Sequence, residues 1–167
     1  RSEEGPIPAM KFVLSLTLVL ISSAAAHAQE PEYEWHLGSE QDEVAYGIPE
    51  TDDRLLRLRC AAPGQLELSG PLMADEDDPD VEEGALARVT AKTRRTGGAR
   101  DLGAIVEERG DGWNYVAQVN PDHPVVIALM ADEPVTVMRG KYGGEIPTQG
   151  AGKVVKQLLA NCGSGRR

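Results

Sequence analysis

The residues of this 167-residue chain whose chemistry stands out are two cysteines and a run of acids. Cys60 ends an alternating segment, and Cys162 ends an apolar pattern near the carboxyl terminus. In an exported protein such a pair predicts one intramolecular disulfide, with two free thiols or an intermolecular bond as the alternatives. A disulfide would also remove the accessible thiolate that a cysteine nucleophile needs.

Seven of the nine residues from Asp75 to Glu83 are acidic. Such a run is typical of a solvated loop, but it could also hold calcium or contact a basic partner. The order of the acids lacks the glycine and the spaced glutamate of an EF-hand loop, so we assign no metal site. As candidate partner-binding residues we take all seven acids: Asp75, Glu76, Asp77, Asp78, Asp80, Glu82 and Glu83.

The sequence contains none of the common catalytic motifs. Its three histidines form no His-x-His or His-Glu-x-x-His pattern, and neither Cys-x-x-Cys, Gly-x-Ser-x-Gly nor Ser-x-x-Lys occurs. A hydrolase with paired carboxylates remains an alternative, since acids are abundant, but it needs two acids whose environments separate their pKa values. We therefore predict no catalytic residue and no cofactor.

The amino-terminal segment has the three regions of a secretory signal peptide. Met10 and Lys11 form a short basic start, Phe12–Ile21 is apolar, and Ala26–Ala28 has the form of a cleavage site. The apolar run is shorter than the roughly 20 residues that span a bilayer, although an anchor helix is the alternative. We interpret 1–9 as upstream residues, 10–28 as the signal peptide, 29–163 as one domain and 164–167 as a disordered tail. The predicted location is periplasmic or secreted.

The formal net charge of the chain is −10. Binding to nucleic acid or to anionic lipid needs a basic surface, so the acidity argues against both. The acidity favours solubility and attraction of a basic partner.

Alternation of apolar and polar residues predicts a mainly β domain. In Arg54–Cys60, Leu56, Leu58 and Cys60 share one face, which is typical of a half-buried strand. Pro63 and Gly64 predict a turn into a second strand at Gln65–Ser69. Further strands are predicted at 33–37, 44–48, 85–94, 101–108, 113–119 and 135–138, with a glycine-rich turn at 142–144 and an extended piece at 146–147. Helices are predicted at 125–130 and at 151–162.

We expect these elements to form an antiparallel β-sandwich or open barrel of about seven to nine strands, with one short helix and one C-terminal helix. The aromatic residues that fall in strand alternation are predicted to lie in the core: Tyr33, Trp35, Trp113 and Tyr115. Two predicted strands have basic outer faces, formed by Arg57 and Arg59 and by Arg88, Lys92 and Arg94. If these strands are neighbours they form a basic patch; cross-strand pairing with acids such as Glu67 is the preferred alternative.

The pattern resembles small periplasmic proteins of Gram-negative bacteria. The resemblance is carried by the signal peptide, the Tyr-Gly-x-Pro-x-x-Asp-Asp run at Tyr46–Asp53, the strand ending in Cys60, and the closing helix Gly152–Cys162. The order helix, strand and last helix in the second half is also similar to the invasion-associated locus B family. That resemblance implies a β-sandwich and supplies no catalytic residue.

Together these features favour a non-enzymatic periplasmic binding or interaction module whose partner is a protein or an envelope component. An inhibitor that uses the acidic run to attract a basic protein is a specific form of this hypothesis. The alternatives are a hydrolase of an envelope polymer and a purely structural envelope protein.

Overall fold

The structure, a computed structural model, describes residues 32–72, 81–109 and 112–163. Within these residues the fold is mainly β, with two antiparallel sheets and two helices. The strands are β1 Glu34–Leu37, β2 Glu43–Gly47, β3 Arg54–Ala62, β4 Gln65–Pro71, β5 Leu86–Ala87, β6 Val89–Thr93, β7 Arg100–Asp101, β8 Ala104–Arg109, β9 Gly112–Val119, β10 Val135–Arg139 and β11 Tyr142–Ile146. The helices are α1 Pro124–Met130 and α2 Ala151–Gly163. The predicted upstream residues, signal peptide and tail lie outside the described residues.

The two sheets pack as a sandwich around one core, as the alternation predicted. The larger sheet has the order β1-β2-β3-β4-β9-β8-β5, and the smaller has the order β11-β10-β6-β7. Leu58 of β3 lies opposite Leu68 of β4, and both are fully buried. Val89 and Val135 of the smaller sheet belong to the same apolar cluster, so the inner faces of the two sheets meet there.

The described residues hold eleven strands rather than the expected seven to nine, because two predicted strands are each divided between the sheets. The segment 85–94 breaks at Arg88: β5 pairs with β8 in the larger sheet, and β6 pairs with β10 in the smaller. The segment 101–108 divides in the same way into β7 and β8. There the carboxylate of Asp101 accepts a hydrogen bond from the Gly103 N–H at 2.7 Å, which turns the chain from one sheet to the other.

The predicted glycine-rich turn at 142–144 is wrong, because these residues belong to β11. The turn is the pair Gly140–Lys141, with Gly140 at a φ of 56°, as a two-residue hairpin with glycine first requires. Gly143 has a φ of 112°, and a Cβ there would collide with the Val137 carbonyl oxygen. The glycine therefore permits close approach within the hairpin rather than ending the strand.

Helix α2 covers one end of the larger sheet. It packs against α1, β1, β2 and β3, and Val155 and Leu158 are fully buried. Near its end Cys162 is bonded to Cys60 of β3, which confirms the predicted intramolecular disulfide. Neither described helix has the length and apolar character needed to cross a membrane.

Side chains from outside the helices satisfy the first turns of both. The carboxylate of Asp132 accepts a hydrogen bond from the Gly152 N–H of α2 at 2.8 Å. His123 precedes α1, and its Nδ1 accepts a hydrogen bond from the Val125 N–H at 3.3 Å, so it caps the helix. Because Asp132 directly follows α1, its contact also fixes the two helices relative to each other.

Candidate functional site

An apolar groove of about 250 Å³ lies between the two sheets, away from α2. Leu55 of β3 lines it, and Leu55 precedes the disulfide-bonded Cys60 by five residues, about 17 Å along an extended strand. The larger sheet also contributes Pro71 and Tyr115, and the smaller sheet contributes Val89, Val137 and all of β11. As far as the described residues show, the sandwich is therefore covered by a helix at one end and open at the other.

Tyr115 is the buried polar residue of the groove. Its side chain is only 5% exposed, and it lies directly opposite Gly70 of β4. A Cβ at Gly70 would lie 2.8 Å from the tyrosine hydroxyl oxygen, so the glycine leaves the space that the ring occupies. No hydrogen bond of this hydroxyl is found among the described residues, and its oxygen is not one of the fully buried atoms that lack a partner, so it is open to the groove. Burial raises the pKa of Tyr115, so the hydroxyl remains a neutral donor at physiological pH.

Charged groups lie at the rim of the groove. Arg139 and Glu145 both line it. The Lys141 ammonium lies 4.9 Å from the centre of the Tyr142 ring, within the range of a cation–π contact. The tip of the β10–β11 hairpin is therefore cationic, whereas the far end of β11 carries a carboxylate.

Among the strands of the described residues, β11 is an edge strand that pairs with β10 alone. Across the two-residue turn, Arg139 and Tyr142 form the hydrogen-bonded pair, so Gly144 and Ile146 also bond to β10. The intervening Gly143 and Glu145 turn their N–H and C=O groups to the free edge. Within the described residues no further backbone hydrogen bond uses these groups. An unpaired strand edge thus runs along the groove.

The outer face of the larger sheet carries ion pairs instead of the basic patch considered above. Arg59 lies on β3 and Lys92 on β6, and these strands belong to different sheets. The preferred alternative is confirmed, since Arg59 and Glu67 are 3.0 Å apart on neighbouring strands. Arg57 is likewise paired, with Glu43 of β2.

Glu67 is the centre of this polar face. Arg109 approaches it at 3.0 Å from the other side, reaching across β9. Burial alone raises the pKa of Glu67, but the hydrogen bonds and charges of Arg59 and Arg109 outweigh it, so the net pKa lies below its ordinary value. A carboxylate held ionised in this way is not the protonated acid that a paired-carboxylate hydrolase requires.

The structure locates two of the seven candidate partner-binding acids. Asp75, Glu76, Asp77, Asp78 and Asp80 lie outside the described residues. The Glu83 carboxylate accepts a hydrogen bond from the Glu108 N–H at 2.7 Å, so it fastens its segment to β8. Glu82 lines a wide depression beside Leu86, which is 76% exposed at the edge of the larger sheet. Partner binding by the acidic run stays a prediction.

No cluster of histidine, cysteine or acidic side chains among the described residues is arranged to hold a metal ion. Strand alternation predicted Tyr115 in the core, where it lies, but it also predicted Trp113 there, which is 36% exposed. The groove that Tyr115 lines was not predicted. The available signals were Gly70 in one strand and the Gly143–Gly144 pair in another. What each glycine leaves room for depends on the residue across the sheet, which the sequence alone does not show.

Comparison of the chain with protein-family models, curated proteins and solved structures gives no match. The resemblance to the invasion-associated locus B family therefore stays a prediction, and the function has to be argued from the groove.

Proposed function

We propose that this chain is an exported, non-enzymatic module that binds another protein in the groove between its sheets. The observation that carries the proposal is the hydroxyl of Tyr115, which is open to the groove and has no hydrogen-bond partner among the described residues. An apolar occupant that excluded water from this hydroxyl would leave it unsatisfied, at a cost of about 1–3 kcal/mol. The site therefore favours a partner that offers the hydroxyl a hydrogen bond.

Export is supported by two independent features. The segment 10–28 has the composition of a cleaved leader. The bond between Cys60 and Cys162 is of a kind that persists in oxidising compartments such as the periplasm or the cell exterior.

The groove is suited to binding rather than to catalysis. Among the described residues that line it, none is a histidine, cysteine, serine or threonine. The polar side chains available are the phenols of Tyr115 and Tyr142, a guanidinium and a carboxylate, which form no nucleophile–base pair. A hydrolase remains the alternative, and it would require acids other than the arginine-paired Glu67.

Site-specific photo-crosslinking in producing cells tests this proposal. Tyr142 of β11, at the groove, is replaced by a benzophenone-bearing aromatic residue. Leu86 of β5, at the edge of the larger sheet, is replaced in the same way. We expect a discrete protein adduct at position 142 and none of that mass at position 86. An adduct confined to position 86 would move the site to the acidic side of the molecule, and no adduct at position 142 would refute groove binding.

A matched pair of glycine substitutions makes this test specific. A Cβ at Gly144 would meet no atom within 4 Å, and Gly144 lines the groove, so Gly144→Leu would fill it. Gly98 is equally open but lies in a turn away from the groove, so Gly98→Leu is the control. The adduct at position 142 should disappear with the first substitution and persist with the second.

A further inference from the structure

We infer that the occupant of the groove is an extended peptide segment that adds to the free edge of β11 and inserts one tyrosine side chain toward Tyr115. This inference rests on the proposed function and names the class of ligand for that site. It follows from the size of the groove, from its polar group and from the strand edge beside it.

The size of the groove suits one aromatic side chain. A cavity of about 150 Å³ accommodates benzene, so by proportion 250 Å³ holds about ten non-hydrogen atoms. A tyrosine side chain, including its hydroxyl, fits this space. The groove lies below the usual range of roughly 300–1,000 Å³ for sites that enclose a whole small molecule. The remainder of a larger ligand must therefore contact the protein outside the groove.

The hydroxyl of Tyr115 determines which ligand side chain binds best in the groove. A leucine or phenylalanine side chain would fill the apolar space but leave the Tyr115 hydroxyl without a partner. The phenolic oxygen of a tyrosine accepts a hydrogen bond as well as donating one, so it can pair with that hydroxyl. Because a single neutral hydrogen bond decides the preference, we expect a tyrosine-containing ligand to bind about tenfold more tightly than its phenylalanine analogue.

The edge of β11 supplies the contacts for the rest of the ligand. Gly143 and Glu145 present N–H and C=O groups that an added strand can pair with, and neither Gly143 nor Gly144 has a side chain to obstruct it. Alternate residues of such a strand point to the same side, so one side chain enters the groove while its neighbours remain outside. An acyl chain of similar size would leave this edge unused, which favours a peptide.

The charges at the two ends of β11 fix the direction of the added strand. Arg139 and Lys141 lie at the hairpin tip, and Glu145 lies toward the other end. A peptide with an acid on one side of its tyrosine and a base on the other matches this pattern in only one orientation.

Selection from a displayed library of random linear nonapeptides tests the inference, with the disulfide-bonded chain as bait. We expect wild type and Gly98→Leu to enrich peptides that share one tyrosine within an extended, charge-flanked segment, and Gly144→Leu not to enrich them. Binding of a synthetic copy should shift the amide resonances of Gly143 and Glu145. No enrichment above the filled-groove variant, or enriched peptides that lack tyrosine, would overturn the inference.

A double-mutant cycle isolates the hydroxyl. The tyrosine peptide and its phenylalanine analogue are titrated against wild type and against Tyr115→Phe, which keeps the ring and therefore the fold. The tenfold preference should appear with wild type and vanish with the variant, and equal preferences in both proteins would refute the pairing. If the peptide selections fail while the adduct at Tyr142 persists, groove binding stands and the ligand is of another class.

Discussion

Removal of the disulfide should destabilise the domain by an amount that the position of the cysteines determines. Cys60 and Cys162 are 102 residues apart, so the bond closes a loop that contains most of the described residues. In the chain-entropy treatment, a loop of this length lowers the entropy of the unfolded chain by about 16 cal/mol/K, or roughly 4.7 kcal/mol at 25 °C. Domains of this kind have a total stability of about 5–15 kcal/mol, so the loss is a large fraction of it.

The variant to use is Cys60→Ser with Cys162→Ser. Both sulfur atoms lie within 4 Å of the Ala62 carbonyl oxygen, at 3.8 and 3.5 Å, so each serine hydroxyl has an acceptor nearby. Urea unfolding followed by circular dichroism should give a free energy of unfolding about 3–5 kcal/mol below that of the oxidised wild type. Wild type treated with reductant is the control, and it should match the double variant.

Two results would refute the reasoning. Equal stability of the double variant and the oxidised chain would show that the cross-link does not restrict the unfolded state as the loop length requires. An intact mass that does not rise by two hydrogen atoms on reduction would show that the sulfurs are not bonded to each other. The second result would also remove a main support for export.

Four further outcomes are expected. Because the folded pKa of Glu67 lies below its ordinary 4.5, its contribution to stability is present above that value and is lost as the pH falls through the folded pKa. Glu67→Gln should therefore flatten the acid limb of a stability–pH curve, and an unchanged limb would contradict this. Burial lowers the pKa of His123 from 6.5, so stability should decline as the pH falls below 6.5, and His123→Asn, which keeps a cap, should remove that decline. Asp132→Ala should lower the free energy of unfolding by about 2–3 kcal/mol, through loss of the hydrogen bond to α2 and because alanine is strained at the φ of 53° found there, whereas Asp132→Asn should retain most of the stability in the same urea titration. Gly144→Leu should raise the melting temperature of the unliganded chain, by burial worth about 1.5–3 kcal/mol, while Gly98→Leu should leave it nearly unchanged.

The local parts of the fold could be predicted from the sequence because short-range patterns determine them. Alternation in Arg54–Cys60 and Gln65–Ser69 predicted the β3–β4 hairpin, in which Cys60 lies opposite Leu66. The apolar spacing at the end of the chain predicted α2 to within one residue of its observed bounds. In each case the signal is the spacing of apolar residues within the element itself, and it does not depend on which elements bury them.

The division of strands between the sheets could not be predicted in the same way. From Ala87 to Arg94 the sequence alternates without interruption, yet Ala87 belongs to the larger sheet and Val89 to the smaller. Period-two alternation records only which side of a strand is buried. It does not record which strand is the neighbour, and here both sheets bury their inner sides against the same core.

The groove could not be predicted from the sequence for a related reason. Its lining residues are far apart in the chain, and they come from β3, β4, β6, β9, β10 and β11. We distinguish a binding site from a packing defect by asking whether a single larger side chain could fill the space without strain. Leu at Gly144 would occupy it without a backbone clash, and a larger side chain there would stabilise the unliganded domain. A glycine at that position, beside a hydroxyl that is open to the groove, is the arrangement expected of a site in which stability is exchanged for binding. Higher stability together with lost binding in Gly144→Leu would establish that exchange, whereas higher stability with unaltered binding would make the groove a packing defect.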